Sequence, residues 1–289
     1  LVKAVLAELL KMRKRWMPYA LLLVTSAGAV FFVWVVGYVS WENVELEESA
    51  LRTFSLPYAI PALLDTGQFW GTAIFVTIFT SSSVATEHNW GTVRQAVARG
   101  QTRTEYLLAK LTAIAIVSAG ALLLVFALGL VMAVLATLAA GLPVTMEAPN
   151  GPSLADVILM IARTALAILP YGFLVFFLSV LGRSTALGLA GGLGYMILES
   201  IAIAVFVALG GTAGDIAELM IGRHAAALIA VNRFAPFDYN SAAPRPLPDP
   251  AELPDPWLAA AVLALYCVVF AVLAFTLFHR RDIPVTSAV

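Results

Sequence analysis

The side chains able to do chemistry are few and scattered. The three histidines, His88, His224 and His279, lie far apart, and none falls in an H-E-x-x-H or comparable metal-ligand spacing. The single cysteine, Cys267, sits in an apolar run. It can form no internal disulfide and reads as a small buried hydrophobe. No G-x-x-x-x-G-K-[ST] loop is present, so the chain holds no P-loop for ATP. The expectation is therefore no catalytic motif, no metal and no cofactor in this chain. Two features remain. One is the basic stretch from Glu87 to Arg103, the longest polar insertion between apolar runs in the first half. The other is a pair of ionisable residues inside apolar runs, Arg163 and Glu199. A lone charge at such a depth costs at least ~2.5–3.5 kcal/mol, so each needs a protein partner.

The elements that must position these residues follow from composition. Hydrophobic residues make up 61% of the 289, and charged residues only 12%. A soluble domain carries roughly 25% charged residues, so the chain reads as a polytopic membrane protein. Backbone groups in lipid must bond within their own segment, which predicts helices rather than open strands. About 20 apolar residues span the hydrocarbon, and six segments qualify: 17–40, 66–86, 106–140, 155–180, 185–209 and 257–279. The fold class expected is all-α, with six transmembrane helices. Residues 1–16 precede them as an amphipathic helix at the membrane interface, with Val2, Val5, Leu6, Leu9 and Leu10 at helical spacing. The apolar run from Met17 is longer than a signal peptide's ~7–15 residues, so it reads as a retained span.

Lys and Arg set the orientation. With the N-terminus inside, twelve of the 17 basic residues fall in cytoplasmic segments, four in outer ones, and Arg163 within a span. Glu42, Glu45, Glu47 and Glu48 crowd the first outer loop, which reads as a solvated face. Both termini are expected in the cytoplasm. Asp65 and Gln68 resemble a cap for the second span. The third span is too long to cross upright, so it must tilt, break near Gly120 or Gly129, or project. Pro170 should kink the fourth. In the fifth, Ser184, Gly188 and Gly192 form a small-xxx-small face that packs either within the subunit or between subunits. The outer loop 210–256 should begin with one or two short helices over 212–234. It continues as an extended strap carrying seven prolines from Pro236 to Pro256, either a connector or a gate.

After Glu87 the chain should leave the membrane. Asn89 can cap a short helix over Trp90–Arg99, Gly100 suits its stop, and Thr102 with Glu105 forms a capping box for the third span. A short helix held between two spans is a lever that a partner could grip. The run Glu87…Asn89-Trp90-Gly91-Thr92-Val93-Arg94…Arg99-Gly100-Gln101-Thr102-Arg103…Lys110 resembles the first cytoplasmic loop of ABC-2 type transporter permeases. So does the six-span layout with its N-terminal amphipathic helix and large outer loop before the last span. Some relatives carry proline where Arg99-Gly100 stands here. The resemblance implies a coupling helix docked on a separate ABC ATPase subunit, through Glu87, Trp90, Thr92, Arg94, Gln95, Arg99 and Arg103. It also implies that ATP and Mg bind in that partner, and that a second permease subunit completes a homodimer in a prokaryotic plasma membrane. Nucleic acid has no place in this reading. The arginines could equally obey the positive-inside rule, and Trp90 could belong to an interfacial aromatic belt.

Arg163 lies about 12 Å along the fourth span from its outer end, and Glu199 about 15 Å along the fifth. The matching depths predict that the two pair, either as a bridge between helices or as a polar element of a substrate path. Three functions follow: an ATP-driven exporter of a hydrophobic or amphipathic substrate, an ion-coupled secondary transporter, or a membrane scaffold that holds a partner on the same loop.

Overall fold

The computed structural model describes residues 1–28, 56, 59–64, 66–89, 95–96, 98, 100–139, 141, 143–145, 152–232 and 250–281. Among these, every regular element is helical. In chain order the helices are α1 (Val2–Lys14), α2 (Met17–Gly28), α3 (Ala59–Leu64), α4 (Thr66–Asn89), α5 (Arg103–Ala139), α6 (Leu154–Gly182), α7 (Thr185–Leu209), α8 (Gly211–Glu218), α9 (Ile221–Ala230) and α10 (Pro256–Arg280). Four of them, α5, α6, α7 and α10, are long and apolar enough to cross a membrane. The chain is a membrane-embedded helical protein.

Helix α6 is the hub. It packs against α10, α4, α7 and α9. Its apolar window is 56% buried, against 17% in α7 and in α10, which leave most of their apolar surface open for lipid. Ser153 and Asp156 start α6 with a reciprocal capping box. Helix α4 has the length of a crossing helix, but it is rich in hydroxyls. Thr72, Thr77, Thr80, Ser81 and Ser83 are all buried, so α4 is an inner helix. The glycine face of α7 packs within the subunit. A Cβ on Gly188 would lie 2.1 Å from Ser179 Oγ of α6 and 2.8 Å from Ser81 Oγ of α4. One on Gly192 would meet Val175 Cγ2 at 2.4 Å and Thr77 Cγ2 at 2.9 Å.

Several boundaries differ from expectation for physical reasons. Helix α5 runs unbroken for 37 residues, about 55 Å, through Gly120 and Gly129. Gly129 serves a close contact: its missing Cβ leaves room for Leu63 of α3, a short helix that the sequence reading did not contain. Helix α4 continues through Asn89, so Asn89 does not begin a separate helix. The polar residues that suggested an exit at 86 are satisfied inside: Thr86 Oγ1 donates to the Ser82 carbonyl, and Glu87 is buried among cations. The region 212–234 forms two short helices, α8 and α9. The second half of the expected first span, the Asp65 cap and the prolines from Pro236 to Pro248 lie outside the described residues.

Candidate functional site

The 87–103 loop is bounded by two roots, and each is tied into several helices. At the first root, Glu87 ends α4 and is 2% exposed. Its Oε2 pairs with Lys110 Nζ of α5 at 2.8 Å and accepts the Tyr106 hydroxyl at 2.7 Å. Lys110 is equally buried. It pairs on its other side with Glu8 of α1 at 2.7 Å and donates to the Ser83 carbonyl at 3.4 Å. Lys11 of α1 closes the ring, touching Glu8 and lying 3.5 Å from Glu87 Oε1. Burial alone would lower the Lys11 ammonium. The hydrogen bond to Glu8 and the two carboxylate charges outweigh it and hold the group above its usual 10.5.

Two carboxylates and two ammonium groups thus neutralise one another where α1, α4 and α5 meet. The face that α1 buries is Glu8 and Met12, while Val2, Leu6 and Leu10 stay exposed as an apolar stripe. The sequence placed Glu8 one helical turn from both Val5 and Met12, an acid on a partly apolar face, and that spacing could have flagged it.

At the second root, Gly100 adopts φ +88°, and the Gln101 amide donates back to the Ala96 carbonyl at 3.2 Å. This is the six-to-one bond of a Schellman stop, so the helical segment that holds Ala96 and Ala98 ends where the sequence predicts. Thr102 Oγ1 then accepts the Glu105 amide at 3.1 Å and starts α5. Arg103 turns inward. One guanidinium nitrogen donates to the carbonyls of Phe278, His279 and Arg281, at 3.4, 3.0 and 3.1 Å. It therefore caps α10, whose last carbonyls have no partner within their own helix. Thr104 meets His279 at 3.0 Å, and Tyr106 stacks on Phe278. Arg281 in turn donates to the Leu181 carbonyl near the end of α6.

Of the seven residues expected to face a partner, Glu87 and Arg103 are engaged inside the chain. Gln95 is exposed in a helical segment. Trp90, Thr92, Arg94 and Arg99 lie outside the described residues.

A second polar centre lies around Glu199, and the expected pair with Arg163 does not form. Glu199 is 5% exposed. Its Oε2 accepts the Tyr171 hydroxyl at 2.8 Å, and its Oε1 accepts the Tyr195 hydroxyl at 2.8 Å and the Gly222 amide at 3.1 Å. The expectation failed because depth was counted from the outer ends. The register of α6 against α7 is set instead at the tight turn of Arg183 and Ser184, and α6 is four residues longer, 29 against 25. Tyr171, eight residues nearer that turn than Arg163, therefore meets Glu199. Arg163 is half-buried about 12 Å farther along α6. The Gly222 amide belongs to the first turn of α9, which has no side-chain cap of its own, so Glu199 supplies one.

Among the described residues, no group of three or more His, Cys, Asp or Glu side chains could hold a metal ion. No curated protein matches the chain. Residues 46–221, more than half of the sequence and including the loop, its two flanking helices and Tyr171, Tyr195 and Glu199, match a family described as "Protein of unknown function (DUF2705)", and to that family the chain belongs.

Proposed function

We propose that this chain is the membrane-spanning permease subunit of an ATP-driven transporter of the ABC-2 type, with a separate ATPase docked on the 87–103 loop. Its substrate is hydrophobic or amphipathic and moves outward. The chain crosses a prokaryotic plasma membrane six times, adding 17–40 and 66–86 to the four apolar helices. Both termini lie in the cytoplasm, and a second copy completes the transporter. ATP and Mg bind in the partner, and nucleotide-driven closure of two ATPases draws the two loops together. That closure shifts the dimer from inward to outward access through the differential affinity of ATP for the closed state.

The observation that carries this reading is the anchoring of the loop at both ends. The Glu87 root is locked to α1 and α5 through buried ion pairs, and the Arg103 root is locked to α10. A displacement applied to a loop held this way moves four helices together instead of bending a tether. Gln95, described between the two roots, is exposed.

The test is co-expression with an ATPase encoded in an adjacent reading frame. The complex should co-purify, and inside-out vesicles should accumulate substrate only with ATP. Trp90→Ala and Arg94→Ala should each weaken co-purification, because buried Trp and Arg anchors dominate interface energetics. The Glu199 carboxylate favours a second reading, a gradient-driven carrier. Uptake that follows an ion gradient in the chain alone, and ignores ATP, would establish that reading and remove the first.

A further inference from the structure

Glu199 differs from every other deeply buried acid described here. Glu8 and Glu87 are each paired with ammonium groups. Glu199 meets neutral donors: two phenols and the backbone amides of Ile221 and Gly222. Among the described residues, no Lys or Arg nitrogen lies within ion-pair distance of it. Buried charges are ordinarily matched by an opposite charge, because neutral donors recover only part of the lost hydration. A carboxylate left without a counter-charge in an apolar helical bundle is therefore a place where a cation gains more than anywhere nearby.

The surroundings fit an organic cation rather than a hydrated metal. The rings of Tyr171 and Tyr195 lie 6.4 Å apart and tilted by 56°, and both donate their hydroxyls to the same carboxylate. Tyr266 of α10 donates its hydroxyl to the Leu219 carbonyl at 2.6 Å, three residues before Gly222, and Phe270 stacks on it at 5.9 Å. Aromatic faces attract ammonium and related cations through the ring quadrupole, most strongly when desolvated. Metal binding would call for several oxygen ligands around one point. Here there is a single carboxylate, met by two phenols and by backbone amides.

The Gly222 amide is the exchangeable partner. It belongs to the first turn of α9, where amides have no acceptor within the helix and can turn to another one. Its residue has no side chain, and a Cβ there would sit 3.4 Å from Glu199 Oε2.

We propose that Glu199, with the faces of Tyr171, Tyr195 and Tyr266, binds a lipophilic organic cation, which takes the position on the carboxylate now held by the Gly222 amide. This rests on the transport reading above and names its substrate class: an amine or onium group carried on an apolar body. Binding would move the first turn of α9 away from α7. The described state, with Gly222 seated on Glu199, is then the empty one.

The experiment uses the full chain in phosphatidylcholine nanodiscs, with radiolabelled tetraphenylphosphonium as probe and tetraphenylborate, of the same shape and opposite charge, as control. Saturable binding of the cation is expected, with no saturable binding of the anion. Glu199→Gln should weaken cation binding at least tenfold. Tyr195→Phe, which keeps the ring, should bind within about threefold of the native chain, whereas Tyr195→Leu should lose several-fold more. Equal affinity of the native chain and Glu199→Gln for the cation overturns the proposal. If Glu199→Gln fails to fold, equal affinity of Tyr195→Phe and Tyr195→Leu overturns it instead. The measurement needs no ATPase. Glu199-dependent cation binding without ATP-driven uptake would leave this site standing and remove the ABC reading. ATP-driven transport without Glu199-dependent cation binding would do the reverse.

Discussion

Replacing Lys110 with Met tests the buried ion network most directly. The change preserves length and removes one charge. It strips Glu8 of the ion pair at 2.7 Å and Glu87 of the one at 2.8 Å, at a point where Lys110 is 2% exposed. Breaking a buried pair from one side costs about 3–5 kcal/mol, because the remaining charge stays desolvated. Two carboxylates are stranded here, which would push the cost upward. Lys11 still reaches both, but its side chain is 46% exposed and its contact with Glu87 is 3.5 Å long, so it offsets only part. The Tyr106 hydroxyl continues to serve Glu87. The expected loss is about 3 kcal/mol, at the lower end of that range.

A triple variant, Glu8→Met, Glu87→Gln and Lys110→Met, removes every fully buried charge of the network and leaves only the half-exposed Lys11. It should return to within about 1.5 kcal/mol of the native chain, since a buried pair replaced by uncharged groups of similar volume is often close to neutral. Equilibrium unfolding in mixed micelles, titrated with dodecyl sulfate and followed by circular dichroism, gives the differences. Limited proteolysis should show α1 released in the single variant and protected in the triple. A single variant within about 0.5 kcal/mol of native, with α1 still protected, would refute the network as the bond that holds α1. A triple variant no better than the single one would refute the electrostatic cause.

Three further outcomes follow from other sites. Gly192→Ala should destabilise by about 1–3 kcal/mol, because its Cβ meets Val175 at 2.4 Å, while Gly194→Ala, with nothing within 4 Å, should be neutral or slightly stabilising in the same titration. Arg103→Ala removes three hydrogen bonds from the end of α10 and should cost about 1.5–3 kcal/mol, seen as faster amide exchange at residues 278–281 with the middle of α10 unchanged. His224 of α9 is buried beside Arg223, and burial holds its imidazole below the usual 6.5, with Glu218 opposing. A group depressed in the folded state contributes stability present above 6.5 and lost as pH falls. The thermal midpoint should therefore drop on acidification below about 6.5, and His224→Gln should flatten that segment of the profile.

Much of the fold was legible because lipid allows few solutions. Long apolar runs in a chain with few charges predict helices, and α5, α6, α7 and α10 lie within three residues of their expected ends. Local chemistry was legible as well: the Gly100 stop and the Thr102 cap both appear where the residue types demand them. What failed to show was tertiary. The six-residue α3 has no periodicity to announce it, and it is held by Leu63 against Gly129, 66 positions away. Glu87 and Arg103 read as surface charges because their partners, Lys110, Glu8 and the carbonyls of α10, belong to other helices. Tyr195 stands one turn before Glu199 and is a visible candidate partner, but matching depth on two helices points to a cation and carries no information about a phenol on the same helix.

The two polar centres differ in the quantity that separates structure from function in a membrane. Around Glu87, two acids meet two ammonium groups, and Tyr106 and Ser83 supply further hydrogen bonds. Such a cluster gains little from any added ion, and its geometry is useful for holding helices in register while they move. Around Glu199, hydrogen bonds are made, but no opposite charge reaches it among the described residues. Hydrogen bonds from neutral groups orient a carboxylate without cancelling its field, and an apolar bundle screens that field weakly. A structural role alone would be met as well by a glutamine, which could accept the Gly222 amide and one phenol with no charge to desolvate. The acid at this position therefore argues for a cationic visitor, and the relative stability of Glu199→Gln measures the argument: a variant as stable as the native chain, or more so, shows that the negative charge serves something other than the fold.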